Sequence, residues 1–148
     1  MVSVEFRDLA GSALEPTLGR LLEEQLAEGR RVVVRLVSEE RLRGVDAGLW
    51  TYHPASFLPH GSPAVGRPAD HPIWLSTQVE NPNGASVLVL LEDAVADDLE
   101  GFERCLYVFD RTDPDARRMA RERWRALRES SITPLYLEHA RGSWRTKD

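Results

Sequence analysis

The chain is short of the residue types on which most enzyme chemistry is built. Of its 148 residues one is a cysteine, Cys105, and one is a lysine, Lys147. A single cysteine excludes an intrachain disulfide and a thiolate metal cluster, and it fits a reducing compartment. A single lysine at the far end, with no Gly-Lys-Ser/Thr anywhere, excludes a Walker-type phosphate loop, and G-x-G-x-x-G is missing as well. The histidines, His53, His60, His71 and His139, show no pair four residues apart with a glutamate, so the zinc-hydrolase pattern is absent. No Gly-x-Ser-x-Gly elbow offers a serine nucleophile. No apolar run approaches the roughly 18 residues of a membrane span, and Met1 to Leu9 carries no basic-then-apolar signal pattern. The expectation is a non-secreted, cytoplasmic, non-catalytic protein with no cofactor, no metal site and no membrane contact.

What is present reads as one soluble domain spanning residues 1–148, since 42% hydrophobic and 29% charged residues suffice for a packed core with a solvated surface. Charge is unevenly spread. Residues 1–100 carry 8 arginines against 16 carboxylates, whereas residues 101–148 carry 11 cations against 8 carboxylates, together giving the net −5. An acidic chain is a poor general DNA binder, because phosphate contacts need a positive field. A basic surface confined to the last third can still hold an acidic ligand.

Strands and helices alternate. Val2, Val4 and Phe6 predict a strand; Leu14, Leu18, Leu21, Leu22 and Leu26 an amphipathic helix closed by Gly29; and Val32 to Val37 a strand buried on both faces. Ser38 caps a second helix with Leu42, Val45 and Leu49 inward. Ile73 to Leu75 and Val87 to Leu91 flank Asn81-Pro82-Asn83-Gly84 and predict an antiparallel pair. A short helix over Ala96 to Phe102, with Asp93, Asp97 and Asp98 at its start, precedes a strand from Cys105 to Phe109. Asp113-Pro114 opens a helix running to Glu129, and a strand over Leu135 to Leu137 leads to a tail containing Trp144. The fold class is α/β: a single three-layer domain with a mixed, largely parallel sheet.

Two stretches stand apart. Leu49 to Gly61 holds Trp50, Tyr52, Phe57 and Leu58, yet Pro54 and Pro59 bar a regular element, so these groups either fold back on the core or face a partner. On the helix from Pro114, residues Arg117, Arg121, Trp124, Arg125 and Arg128 share one stripe about 100° wide at 100° per residue. Ala116, Met119, Ala120, Ala126 and Leu127 fall opposite, to pack on the sheet. A solvated basic face is the plain reading of such a stripe. Trp124 among the arginines favours instead a contact for an acidic peptide with an apolar end, or for single-stranded nucleic acid through base stacking. Arg123 points into the packed face, where a buried carboxylate is its expected partner.

Leu49-Trp50, then Ser56-Phe57-Leu58-Pro59-His60, and far downstream Ala120-Arg121-Glu122-Arg123-Trp124-Arg125, resemble the chi subunit of the bacterial DNA polymerase III holoenzyme, with the same element order along the chain. The resemblance implies a nucleotide-binding-like fold without a phosphate loop, in a replisome-associated, non-catalytic accessory subunit of the clamp-loader assembly. Members form a heterodimer with a psi subunit and grip the acidic, phenylalanine-ended C-terminal tail of single-stranded-DNA-binding protein, so contact with DNA is mainly indirect. Carried over by position, Arg121, Trp124 and Arg125 match the tail-binding helix and Arg117 a basic position one turn earlier. The aromatic is tyrosine in the best-known members. Trp50 and Phe57 match positions of the psi contact, a surface shared with a helicase-like partner. The alternative for these two residues is packing beneath their own loop, which their exposure tests.

Overall fold

The computed structural model describes residues 2–51, 59–92, 94 and 96–147. Runs such as Val32-Val33-Val34 and Val87-Leu88-Val89 have no polar face to offer solvent, so they settle as strands covered on both sides. Among the described residues the strands are β1 (Ser3–Asp8), β2 (Val32–Arg35), β3 (His60–Gly61), β4 (Ile73–Ser76), β5 (Val87–Leu91), β6 (Arg104–Phe109), β7 (Leu135–Ala140) and β8 (Ser143–Thr146). They form one sheet in the order β3-β4-β2-β5-β6-β1-β7-β8. Each neighbouring pair is parallel except β7 and β8.

The helices are α1 (Leu14–Ala27), α2 (Glu39–Thr51) and α3 (Pro114–Glu129). Leu18, Leu21 and Leu22 of α1, with Leu42, Val45 and Leu49 of α2, cover one face of the sheet over Val32, Val34, Val87 and Val89. On the other face, Ala120 of α3 joins Val4, Phe6, Leu88, Tyr107 and Phe109. Layer, sheet, layer is the expected three-layer α/β arrangement. The expected caps are in place: the Ser38 hydroxyl accepts the Arg41 N–H at 3.1 Å, and Gly29 ends α1 at φ +77°.

Three expectations are corrected. Ile73–Ser76 and Val87–Leu91 are not an antiparallel pair; β2 inserts between them, and both run parallel to it. The Asn81–Gly84 turn instead carries the chain back to the other end of the sheet. There the Asn83 amide donates to the carbonyls of Val32 and His71, both at 3.1 Å, while the Trp74 indole donates to Glu80 on the way at 3.2 Å. The sheet is mixed because the tail turns into β8, a strand the sequence reading left out. Finally, the helix expected over Ala96 to Phe102 shrinks to a single 3-10 turn, Leu99–Gly101, within the crossover from β5 to β6.

Candidate functional site

In an open parallel sheet, ligands gather at the carboxyl ends of adjacent strands whose connections leave for opposite faces. Here those strands are β1, which runs into α1, and β6, which runs into α3. Several backbone amides at this switch point are engaged by the chain's own carboxylates, although the start of α1 carries no side-chain cap. Asp110 accepts from Gly11 N at 3.1 Å, Thr112 N at 2.9 Å and Thr112 Oγ1 at 2.7 Å. Burial alone would raise the Asp110 pKa, but these hydrogen bonds and the charge of Arg111 outweigh it and hold the carboxyl below its ordinary value. Asp113 fills the start of α3, accepting from Asp115 N at 3.0 Å and Ala116 N at 3.4 Å. The Asp113-Pro114 start therefore does what its sequence promised, and it leaves no open amide cradle for a phosphate at that helix end.

The open site lies beside it, along the flank of α3. Register builds its floor: Phe6 of β1 stands level with Tyr107 of β6 on one side and Tyr136 of β7 on the other. Trp124 comes down from α3 onto this row, with ring centroids 5.0 Å from Phe6 and 6.2 Å from Tyr136. Phe109 closes the floor 6.0 Å from Tyr136. The result is a groove of about 590 Å³ with an aromatic floor and a rim made by Arg111, Arg117, Arg121, Arg125 and Arg128.

The structure thus brings the whole predicted helical set, Arg117, Arg121, Trp124, Arg125 and Arg128, to one groove. It corrects where the packed face lies. Ala120, expected opposite the stripe, lines the same groove, and Trp124 is half-buried rather than displayed to solvent. Ala126, expected to pack, is exposed. The cause is that the arginine stripe borders the packed face instead of opposing it, so its inner members lean over the sheet. Arg117, Arg121, Arg125 and Arg128 are exposed, and none has an ion-pair partner among the described residues. Arg111 by contrast is tied to Asp8 and Glu138, and Arg118 to Asp115.

Arg123 is corrected as well. Its Nη2 donates to the Ala94 carbonyl at 2.6 Å and its Cζ lies 4.5 Å from the Tyr107 ring centroid. Among the described residues no carboxylate pairs with it.

Sequence reasoning missed Phe6, Phe109, Arg111 and Tyr136. Their alternation along strands was visible, but their meeting depends on which strands become neighbours. One buried carboxylate fixes two of them, Arg111 and Tyr136. Asp8, fully buried at the end of β1, accepts the Tyr136 hydroxyl at 2.5 Å, Arg111 Nη1 at 3.3 Å, and the N–H groups of Ala10 and Arg111 at 2.9 and 3.1 Å. Burial, and then the bond to Asp8, push the Tyr136 pKa well above its ordinary value. The Arg111 hydrogen bond leads in lowering that of Glu138.

The second predicted site lies toward the opposite edge of the sheet. Trp50, at the end of α2, is 49% exposed, and its ring lies 4.4 Å from that of His60. His60 is buried, with Nε2 3.0 Å from Asp46 Oδ1. Phe57, with Tyr52 and Leu58, lies outside the described residues. The packing reading of the histidines holds for His60 and for His139, whose Nδ1 bonds Ser12 Oγ at 2.7 Å and whose ring meets Trp144. Among the described residues, no group of three or more His, Cys, Asp or Glu side chains could hold a metal ion, and no helix is long and apolar enough to cross a membrane.

Fold and site together define a class: an α/β domain of nucleotide-binding topology whose β6–α3 joint is capped by its own carboxylates and whose open groove runs along a helix flank. The chain belongs to the family described as DNA polymerase III chi subunit, HolC, whose model matches residues 1–134 and leaves β7 and β8 beyond the match. It is 35% identical over 72 residues to the probable DNA polymerase III subunit chi of Rickettsia prowazekii, a match covering 49% of this chain and 44% of that protein's length. It is 25% identical over 118 residues to the DNA polymerase III subunit chi of Escherichia coli, covering 79% of this chain and 80% of that protein.

Proposed function

We propose that this protein is a non-catalytic accessory subunit of the replicative DNA polymerase III clamp-loader assembly, and that it works as an adaptor with two contact surfaces. The groove on α3 grips the acidic C-terminal tail of single-stranded-DNA-binding protein. The Trp50 edge, with Phe57, docks the psi subunit or a functional substitute such as a helicase-like partner.

One observation carries the first half: an aromatic-floored groove whose rim holds four exposed arginines, Arg117, Arg121, Arg125 and Arg128, without ion-pair partners among the described residues. Such a rim suits carboxylates, and the floor suits one terminal aromatic ring. Trp50 supports the second half, since a half-exposed indole backed by His60 is an anchor of the kind that dominates protein interfaces. The Trp50 edge and the groove lie on opposite faces, and β3 is about 24 Å from β1 at five strand spacings, leaving room for both partners.

Each charged contact supplies about 1.5–3 kcal/mol before desolvation, which for a short peptide supports affinity on the order of micromolar. Fluorescence anisotropy with an acidic peptide ending in Pro-Phe tests this. Arg121→Ala and Trp124→Ala each weaken binding by roughly tenfold, a loss of about 1.4 kcal/mol. No binding by the wild-type chain at low salt, or binding indifferent to both substitutions, refutes the reading. Tighter, steeply salt-dependent binding of a plain oligonucleotide would point instead to direct single-strand binding.

A further inference from the structure

The sheet ends at β8. Among the described residues nothing pairs with its outer side, and Ser143, Arg145 and Thr146 are exposed. The hairpin that builds this edge also fixes which backbone groups point away from β7. Leu137, Glu138, His139 and Ala140 stand opposite Thr146, Arg145, Trp144 and Ser143. One residue further along the same register, the Lys147 N–H donates to the Tyr136 carbonyl at 2.8 Å. Bonded pairs alternate with unbonded ones along an antiparallel ladder, so Ser143, Arg145 and Lys147 bond inward to β7. The turn agrees: Arg141 (φ +52°) and Gly142 (φ +79°) take the left-handed conformation of a two-residue hairpin loop, closed by the Ala140–Ser143 pair. Trp144 and Thr146 therefore aim their N–H and C=O groups outward, where a further strand would lie.

The side chains give this edge a different character on each face. Arg145 and Lys147 share the face of Tyr136, which lines the groove. Lys147 Nζ lies 3.3 Å from Glu138 Oε2, while Arg145 has no ion-pair partner among the described residues. On the other face the Trp144 ring meets that of His139, centroids 5.1 Å apart, and Arg7 Cζ lies 5.0 Å from its centroid. Cationic side chains blunt a strand edge against a second copy, because like charges brought opposite one another repel. The same charges admit a strand of opposite sign.

We propose that the outer edge of β8 docks an extended acidic segment of a partner protein by strand addition. Backbone groups of the segment bond to Trp144 and Thr146. Its alternate residues are carboxylates beside Arg145 and Lys147, and the residues between them are β-branched, packing beside Trp144 and Thr146. The site needs neither a terminal aromatic ring nor the arginines of α3, so it does not rest on the reading of the groove.

The probe is a peptide of alternating aspartate and valine, about six residues long to span β8 and blocked at both ends. Titration followed by amide NMR is expected to give saturable shifts at Trp144 and Thr146. Arg145→Glu weakens binding about tenfold, a lysine-valine peptide of the same length does not bind, and Arg121→Ala on the groove rim changes nothing. Thr146→Pro removes an outward N–H while leaving the inward bonds of residues 143, 145 and 147 in place, and it abolishes binding. A measurement on the peptide keeps the test decisive if that variant does not fold. All aspartate N–H groups point to one side of the added strand and all valine N–H groups to the other, so N-methylation of one set abolishes binding and of the other spares it. Absence of saturable shifts, equal binding of the lysine peptide, binding surviving in Thr146→Pro, the same effect from both N-methylations, or shifts confined to the Trp124 flank and lost in Arg121→Ala would each overturn the proposal.

Discussion

Replacing Asp8 asks whether the floor of the groove is held by charge or by packing alone. Its carboxylate meets four donors: the N–H groups of Ala10 and Arg111, Arg111 Nη1 and the Tyr136 hydroxyl. In Asp8→Asn the remaining oxygen still accepts both backbone amides, and the Tyr136 hydroxyl can rotate to accept from the new NH2. The Arg111 guanidinium has no such recourse and loses a charge-assisted contact, ordinarily about 1.5–3 kcal/mol. Its side chain is 37% exposed and stays paired with Glu138, so screening places the cost near the lower end, about 2 kcal/mol.

Asp8→Ala leaves all four donors facing a void, at about 3–5 kcal/mol. Urea unfolding followed by tryptophan fluorescence reads both values, with m unchanged if only stability moves. At about 2–4 °C per kcal/mol for a chain of this size, the asparagine variant melts about 4–8 °C lower. Because Tyr136 and Arg111 line the groove, tail-peptide affinity falls in the same variant although no exposed arginine has changed. An Asp8→Asn chain within about 0.5 kcal/mol of wild type, the range of an ordinary surface substitution, would refute the claim that charge holds this corner.

Two glycines of α2 predict opposite signs from the same substitution. A Cβ at Gly48 would sit 2.3 Å from Glu15 Cγ and 3.1 Å from Glu15 Cβ, whereas one at Gly44 meets nothing within 4 Å. Gly44→Ala raises the melting temperature through helix propensity, by up to about 1 kcal/mol, while Gly48→Ala lowers it, since overpacking costs about 1–3 kcal/mol. Equal shifts in calorimetry would show that α1 and α2 do not pack this closely. Tyr136 sets an alkaline limit. Its folded pKa is raised above the ordinary 10.0, so its contribution is complete below pH 10 and is lost as pH rises toward the folded value. Stability measured from pH 9 to 12 declines more steeply in wild type than in Tyr136→Phe; identical slopes would sink this assignment.

Much of the layer order was legible because it rests on local chemistry. The β-branched runs of β2 and β5, the leucine period of α1 and the Asp113-Pro114 start of α3 each need no partner to be recognised. Adjacency was not legible. Ile73–Ser76 and Val87–Leu91 are separated by a strong turn signal, and nothing within them reveals that β2, some forty residues earlier in the chain than Ile73, lies between. The same blindness explains the groove. Its arginines share one helix and were read at once, but its floor joins Phe6, Phe109 and Tyr136 from three strands. Arg123 shows a subtler failure: its inward angle was read correctly, but a backbone carbonyl and an aromatic face served where a carboxylate was expected.

The way α3 sits on the sheet bears on how such a chain can change over time. Of its sixteen residues only Ala120 is buried, whereas α1 has six. Substitutions along the rim therefore fall in the range that leaves stability nearly untouched, about ±0.5 kcal/mol each. Lineages can redraw the rim's charge pattern to follow a drifting partner without eroding the core, and the tolerance ends where Trp124 rests on Phe6.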